Sequence, residues 1–318
     1  MKNDPDNYRR LVRRAALAAS ITATFLILAK LVAWISSGSA SLLASLTDSL
    51  MDAAASLLNL LALRYATQPA DAEHRFGHGK MESLAAMAQA MFIAGSSLLL
   101  ILHGIDRLLH PSPLSEVGLA VAVMLFSTLA TGLLLLYQGY VIRKTGSLAI
   151  KADALHYRSD LLMNCAVLLA LGLTAWGIHL ADALLAIGIG IYMAWSAKEI
   201  AQDAIQHLLD RELPATEQAK IIALAEAHPK VHGIHDLRTR QAGGTRFVQM
   251  HLELDDHLPL VDAHKIADEI EEDIRTVLEN CDVIIHQDPI SVVANNQSTK
   301  TDAAEASVSE PAEGDART

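Results

Sequence analysis

Two carboxylates stand four residues apart at Asp48 and Asp52, inside an apolar stretch, and a second such pair, His156 and Asp160, lies about a hundred residues further on. On a helix, positions i and i+4 share a face, so each pair presents its two side chains to one neighbour. If the two helices pack together, one imidazole nitrogen and three carboxylate oxygens converge, a donor set suited to tetrahedral coordination of a divalent ion such as zinc. The same donors bind protons, so metal and protons compete for one site, and His156 is the group expected to titrate near neutrality. The other reading is an interhelical hydrogen-bond or charge network with Arg158 or Lys30 as the counter-ion. Lys30 is read as paired or snorkelling rather than as a ligand. Cys165 and Cys281, the two cysteines, read as packing residues, and no C-x-x-C pair is present.

These residues must be positioned by a mostly apolar chain. The 318 residues are 52% hydrophobic and 19% charged, with a net charge of −11 and a mean hydropathy of +0.28. The charge is split. Residues 1–209 hold 15 basic and 14 acidic side chains, whereas residues 210–318 hold 10 and 22. Six apolar runs occupy the first part, at about 15–36, 42–63, 81–105, 117–142, 161–181 and 183–205, and the fourth is free of charge. Runs near 20 residues span a bilayer, and ionisable groups within spans usually mark a pathway. Lys and Arg gather in the N-terminal arm (Lys2, Arg9, Arg10, Arg13, Arg14), the second connection (Arg64, Arg75, Lys80) and the fourth (Arg143, Lys144, Lys151). The first, third and fifth connections offer only Arg107. The positive-inside rule then places both termini in the cytoplasm. The acidity argues against nucleic-acid binding. His103, His110 and His179 are read as interfacial.

The second part reads as a small α+β domain. Pro214 opens a helix to about 227, strands follow at 231–241 and 245–254 around the turn Ala242-Gly243-Gly244, a helix covers 259–279, and a last strand covers 282–288. Val248, Met250, Leu252 and Leu254 form its core face, so His251 points elsewhere; Ile266, Ile270, Ile274 and Val277 form the helix stripe, with His264 on the other side. His286 and Asp288 share a strand face. His235, His251, His264, His286 and Asp288 are therefore five candidate ligands displayed off the core. Residues 294–318, rich in Ala, Ser, Glu and Asp, read as a disordered tail. The boundaries expected are 1–209 for six transmembrane helices, 210–293 for the soluble domain and 294–318 for the tail. Asp71, His74 and His78 crowd the second connection, which is either an exposed polar turn or a loop metal site.

Asp-x-x-x-Asp in the second span, His-x-x-x-Asp in the fifth, six spans and a C-terminal soluble domain together resemble the cation diffusion facilitator family over about residues 10–293. Phe76-Gly77-His78-Gly79-Lys80 and Ile284-Ile285-His286-Gln287-Asp288-Pro289 resemble most closely its bacterial branch that exports ferrous iron and zinc. The resemblance implies a homodimeric exporter of the bacterial inner membrane, not an enzyme, exchanging a divalent metal for protons at Asp48, Asp52, His156 and Asp160. Zinc is the first expectation, with ferrous iron and cadmium as further substrates and manganese compatible with the donor set. It also implies a loop zinc site at Asp71, His74 and His78, and a pairing of Lys80 with Asp210 at the membrane–cytoplasm junction that holds the dimer together; a plain positive-inside anchor is the alternative for Lys80. In the C-terminal domain, of the ferredoxin-like αββαβ type, it implies two ions bridged by Asp288, one on His235 and His251 and the other on His264 and His286, with zinc acting there as a regulator of the dimer. A membrane metalloenzyme, a non-transporting metal receptor and a channel are rival classes. The His-Glu-x-x-His signature of zinc proteases is absent, a receptor has no need of ligands within the spans, and a tight tetrahedral site suits a carrier better than rapid conduction.

Overall fold

The computed structural model describes residues 5–37, 40–109, 118–174, 181–278 and 280–293. The chain forms two compact units that divide in sequence between Arg211 and Glu212. The first holds six long helices: α1 (Pro5–Ser37), α2 (Ala40–Ala66), α3 (Lys80–Leu109), α4 (Gly118–Thr145), α5 (Leu148–Thr174) and α6 (Ala181–Leu208). Four segments within them, Asp6–Ser36, Lys80–Leu109, Ala122–Thr145 and Ala183–Leu208, are long and apolar enough to cross a membrane. The unit is inverted relative to a soluble protein. Leu17, Ile21, Phe25, Leu28, Val32 and Ile35 lie exposed along α1, while Ser49, Ser56, Asn59, Gln89, Ser97, Thr131 and Gln138 are buried. Lipid solvates the first set and protein must satisfy the second.

Helices in lipid gain little from apolar contact alone and associate through close packing of small residues. Between α3 and α6 isoleucines seat directly on glycines: a Cβ on Gly104 would lie 2.7 Å from Ile187 Cγ1, and one on Gly190 would lie 2.6 Å from Ile101 Cγ1. Val12, Ala15 and Ala16 of α1 pack with Leu63 of α2, Val141 of α4 and Ala149 and Ile150 of α5.

Several helices begin earlier than their apolar runs, α1 and α5 by about ten residues or more. α5 starts at Leu148, so the polar stretch Lys151–Asp160 extends the fifth apolar run as helix, in keeping with the placement of His156 and Asp160 in the fifth span; Ala149, Ile150, Ala152, Ala154 and Leu155 are all buried and carry it along. Its start is sharp. Gly146 (φ 66°) ends α4, and Ser147 Oγ accepts the Ile150 N–H at 3.3 Å, a capping interaction.

The second unit runs α7 (Ala215–Glu226), β1 (Gly233–Ala242), β2 (Thr245–Leu254), α8 (Leu260–Val277) and β3 (Cys281–Pro289). The sheet order is β1-β2-β3, and β2 and β3 pair in parallel with Met250 opposite Ile285 and His251 opposite His286. Ile221 and Ala225 of α7 and Ile266, Ile270 and Ile274 of α8 cover Val248, Met250, Leu252, Val283 and Ile285. The helix stripe departs from expectation at its end: Val277 is 47% exposed and Leu278 is buried instead. Helix α8 ends at Val277 and the backbone turns extended at Leu278 (φ −106°, ψ 90°), so it is Leu278 that turns into the core. The acidic tail from 294 lies outside the described residues.

Ile270→Ala should cost about 2–5 kcal/mol, and Val277→Ala only about 0.5 kcal/mol. Hydrogen exchange of the β2 amides in the full-length protein reads both; equal loss of protection would refute this core.

Candidate metal centres

In the first unit, α2 and α5 bring Asp52, His156 and Asp160 together, with one ligand atom of each within 4.8 Å of the others. His156 Nε2 lies 3.0 Å from Asp52 Oδ1, and the two side chains are 6% and 17% exposed. They open on a cavity of about 290 Å³ whose wall includes Lys30, Ser49, Ser127, Thr131 and Asn164. Asp48 belongs to α2, one turn before Asp52, but its side chain lies outside the described residues. Lys30 donates to Ser49 Oγ at 2.6 Å. Arg158, one of the two counter-ions considered from sequence, turns outward and donates to the Tyr192 hydroxyl at 3.1 Å. The α5 side of the site is anchored by Tyr157, whose hydroxyl shares a hydrogen bond with Ser56 at 2.7 Å and donates to the Ala19 carbonyl at 3.2 Å. Helix α5 is thereby tied to α2 and α1 beside His156.

Sequence reasoning passed over Asp153, one turn before His156. It is fully buried and accepts Gln138 Nε2 of α4 at 2.7 Å. The available signal was a glutamine in a charge-free span and a carboxylate at i−3 from the imidazole.

In the second connection, Asp71 Oδ1 accepts the backbone N–H groups of Glu73 at 2.9 Å and His74 at 2.6 Å, folding the loop over itself. Gly77 (φ 79°) then returns the chain so that His78 Nε2 lies 3.3 Å from Asp71 Oδ2. His74 Nδ1 lies 3.4 Å from Asp71 Oδ1. The His74 amide is the largest influence holding the Asp71 carboxyl below its ordinary range, with further help from the Glu73 amide and the two imidazoles. An ionised oxygen and two imidazoles thus face one another. His78 is 2% exposed in its side chain, packs edge-on to Tyr65, and leaves a buried Nδ1 without a hydrogen-bond partner.

In the second unit, the parallel register sets His251 beside His286 and Glu253 beside Asp288. Asp288 Oδ2 lies 2.7 Å from His251 Nδ1 and 3.3 Å from His235 Nε2, while Oδ1 lies 3.1 Å from His286 Nε2. Partial burial would push this carboxyl up, but the His251 hydrogen bond and the imidazoles of His286, His251 and His235 outweigh it and hold it low. Four of the five expected residues meet. His264 does not: it stands on α8, 67% exposed in its side chain and 3.4 Å from Asp268, because α8 covers the core face of the sheet and the cluster occupies the other. Glu253, overlooked in the sequence, accepts a hydrogen bond from His235 Nδ1 at 3.0 Å; its place two residues after His251 on one strand was the signal.

Lys80 Nζ contacts Asp210 Oδ2 at 3.0 Å and the Leu208 carbonyl at 3.3 Å, all within one chain. Cys165 is exposed on α5 rather than packed, whereas Cys281 packs against the core of the second unit.

Carboxylates and imidazoles gathered within the helices of an apolar domain, and again on a small appended sheet, define a membrane protein built to handle cations. The chain belongs to the cation efflux family, the cation diffusion facilitators: the family's transmembrane domain matches residues 16–209 and its cytoplasmic domain matches residues 213–290. The chain is 55% identical over 286 residues to the cation-efflux pump FieF of Citrobacter koseri, covering 90% of this chain and 95% of that one. It is 56% identical over 287 residues to FieF of Klebsiella pneumoniae, covering 90% and 96%. Among solved structures, the zinc form of CzrB is 30% identical over 25% of this chain and 92% of its own, with a TM-score of 0.24. The chain is thus a membrane cation efflux transporter.

A thiol ligates metal as its thiolate. Burial pushes the Cys281 thiol up to about 11, so at pH 8 roughly one molecule in a thousand carries the thiolate. Maleimide labelling of Cys281 should be slow at pH 8 and rise with pH towards 11. Rapid labelling at pH 8 would contradict this.

Proposed function

We propose that this protein exports a divalent metal ion, zinc first and ferrous iron or cadmium as further substrates, across the bacterial inner membrane in exchange for protons. The observation that carries this reading is the meeting of Asp52, His156 and Asp160 at a cavity inside the membrane unit. Asp48, at i−4 from Asp52, is the fourth ligand on this reading. The metal enters when the carboxylates are ionised and the imidazole neutral, and protons displace it. A site that faces each side in turn then couples outward metal flow to inward proton flow. All six helices cross the bilayer, and the basic residues of the second and fourth connections keep both termini in the cytoplasm.

The other centres are regulatory on this reading. Asp71, His74 and His78 hold a peripheral zinc ion outside the bilayer. Asp288 bridges two ions in the cytoplasmic domain, one on His235 and His251 and one on His286. His264 stands away from this group within its own chain, so it contributes from the second protomer of a homodimer. Metal bound there neutralises repulsion between two acidic domains, steadies the dimer and biases the membrane unit towards its active state. Lys80 and Asp210, paired at 3.0 Å, help to hold the dimer together.

Proteoliposomes reporting metal and proton flux together provide the test. Asp52→Asn and Asp160→Asn should each lower zinc flux at least about tenfold with helicity unchanged; normal flux would remove the site, and metal flux without proton counterflow would remove the exchange mechanism. Combined His235→Ala and Asp288→Asn should abolish zinc-dependent stabilisation of the dimer in analytical ultracentrifugation. Unchanged stabilisation would remove the regulatory role.

A further inference from the structure

On the far side of α5 from the metal cavity lies a second opening, a crevice of about 520 Å³ between α4, α5 and α6. It shares no lining residue with the metal cavity. Gly139 of α4, Lys151 and Arg158 of α5, and Tyr192, Trp195 and Glu199 of α6 line it. We propose that this crevice binds the phosphate headgroup of an anionic phospholipid.

Arg158 makes the case. It sits ten residues into α5, about 15 Å along the axis, and is exposed at the surface of the membrane unit. A guanidinium carries five N–H donors. Its hydrogen bond is to a neutral hydroxyl, Tyr192 at 3.1 Å, and no carboxylate pairs with it among the described residues. A charge in that position is costly unless something anionic meets it, and a phosphodiester accepts two parallel N–H bonds from one guanidinium.

The surroundings agree. Lys151 lies seven residues earlier, on the same face of α5 and about 10 Å away along the axis. Asp203 holds its ammonium at 2.9 Å, so it is positioned before any ligand arrives. The Arg143 guanidinium approaches from α4 beside Gly139, 3.8 Å from where a Cβ on that glycine would stand. The lining itself holds two cations, Lys151 and Arg158, and one carboxylate, Glu199, which is engaged by Trp195. Tyr192 and Trp195, 40% and 63% exposed, are the amphipathic aromatics found at headgroup depth. Trp195 Nε1 is already fixed by Glu199 at 2.9 Å and Lys198 Nζ lies 5.3 Å from the centre of its ring, so the indole is held in place with its exposed edge towards the lipid.

Native mass spectrometry of the full-length protein tests this, with phosphatidylglycerol and phosphatidylcholine of identical chains supplied together. The wild type should retain phosphatidylglycerol at least about fivefold over phosphatidylcholine. Arg158→Gln should bring the ratio near parity, Arg158→Lys should keep part of it, and Arg238→Gln, an exposed arginine of the other unit, should leave it unchanged. Elution volume checks folding; if Arg158→Gln fails to fold, Lys151→Gln and Tyr192→Phe read the same crevice. Equal retention of the two lipids by the wild type would overturn the proposal, as would a preference that survives every crevice variant. Displacement of the lipid by millimolar inorganic phosphate would also overturn it, by assigning the crevice to a soluble anion.

Discussion

A bilayer interior offers no water to a polar group, so every ionisable side chain held there must be met by protein, by a ligand or by a lipid headgroup. Much else in the membrane unit follows from that constraint. Small residues let the helices approach until isoleucine side chains sit on Gly104 and Gly190, and the polar groups point inward, where hydroxyls and amides can receive them. Tyr157 meets Ser56 and the Ala19 carbonyl, Gln138 meets Asp153, and Lys30 meets Ser49. Asp52, His156 and Asp160 meet mainly one another around open space. A group of donors arranged to face a cavity is set up for a guest, and the family to which the chain belongs moves cations.

The cytoplasmic unit solves a different problem with similar chemistry. Its helices cover one face of a three-stranded sheet and leave the other to histidines and a carboxylate. Water is available there, so the cluster needs no burial; what it needs is alignment. The parallel register of β2 and β3 supplies that, placing His251 against His286 in one step, and Asp288 turns one oxygen to each side. The two units thus use helix periodicity and strand pairing, respectively, to make one kind of donor set.

Much of this was legible in the sequence. The i, i+4 spacing at His156 and Asp160 predicts a shared helical face, and alternation through Val248–Leu254 predicts which side of the strand His251 occupies. The helix starts were not legible from hydropathy, because residues 148–160 are polar enough to interrupt an apolar run yet bury Ala149, Ile150 and Leu155. Asp153 escaped notice for a related reason: burial with Gln138 is a tertiary event between α4 and α5 that spacing along α5 does not encode. Val277 fits the helical stripe by spacing but is the last helical residue, and the extended turn at Leu278 puts that side chain in the core instead. His264 shares its residue type with the cluster but sits on the wrong layer of the sandwich, a distinction that emerges only once α8 is docked.

The pairing of β3 with β2 also governs timing. β3 follows α8 in the chain, so the residues that complete the cytoplasmic cluster, His286 and Asp288, leave the ribosome after α1–α6 and after β1, β2 and α8. Until β3 docks, His235 and His251 have no Asp288 to align them. A chain whose helices are already inserted therefore lacks the assembled cluster until its last strand is laid down.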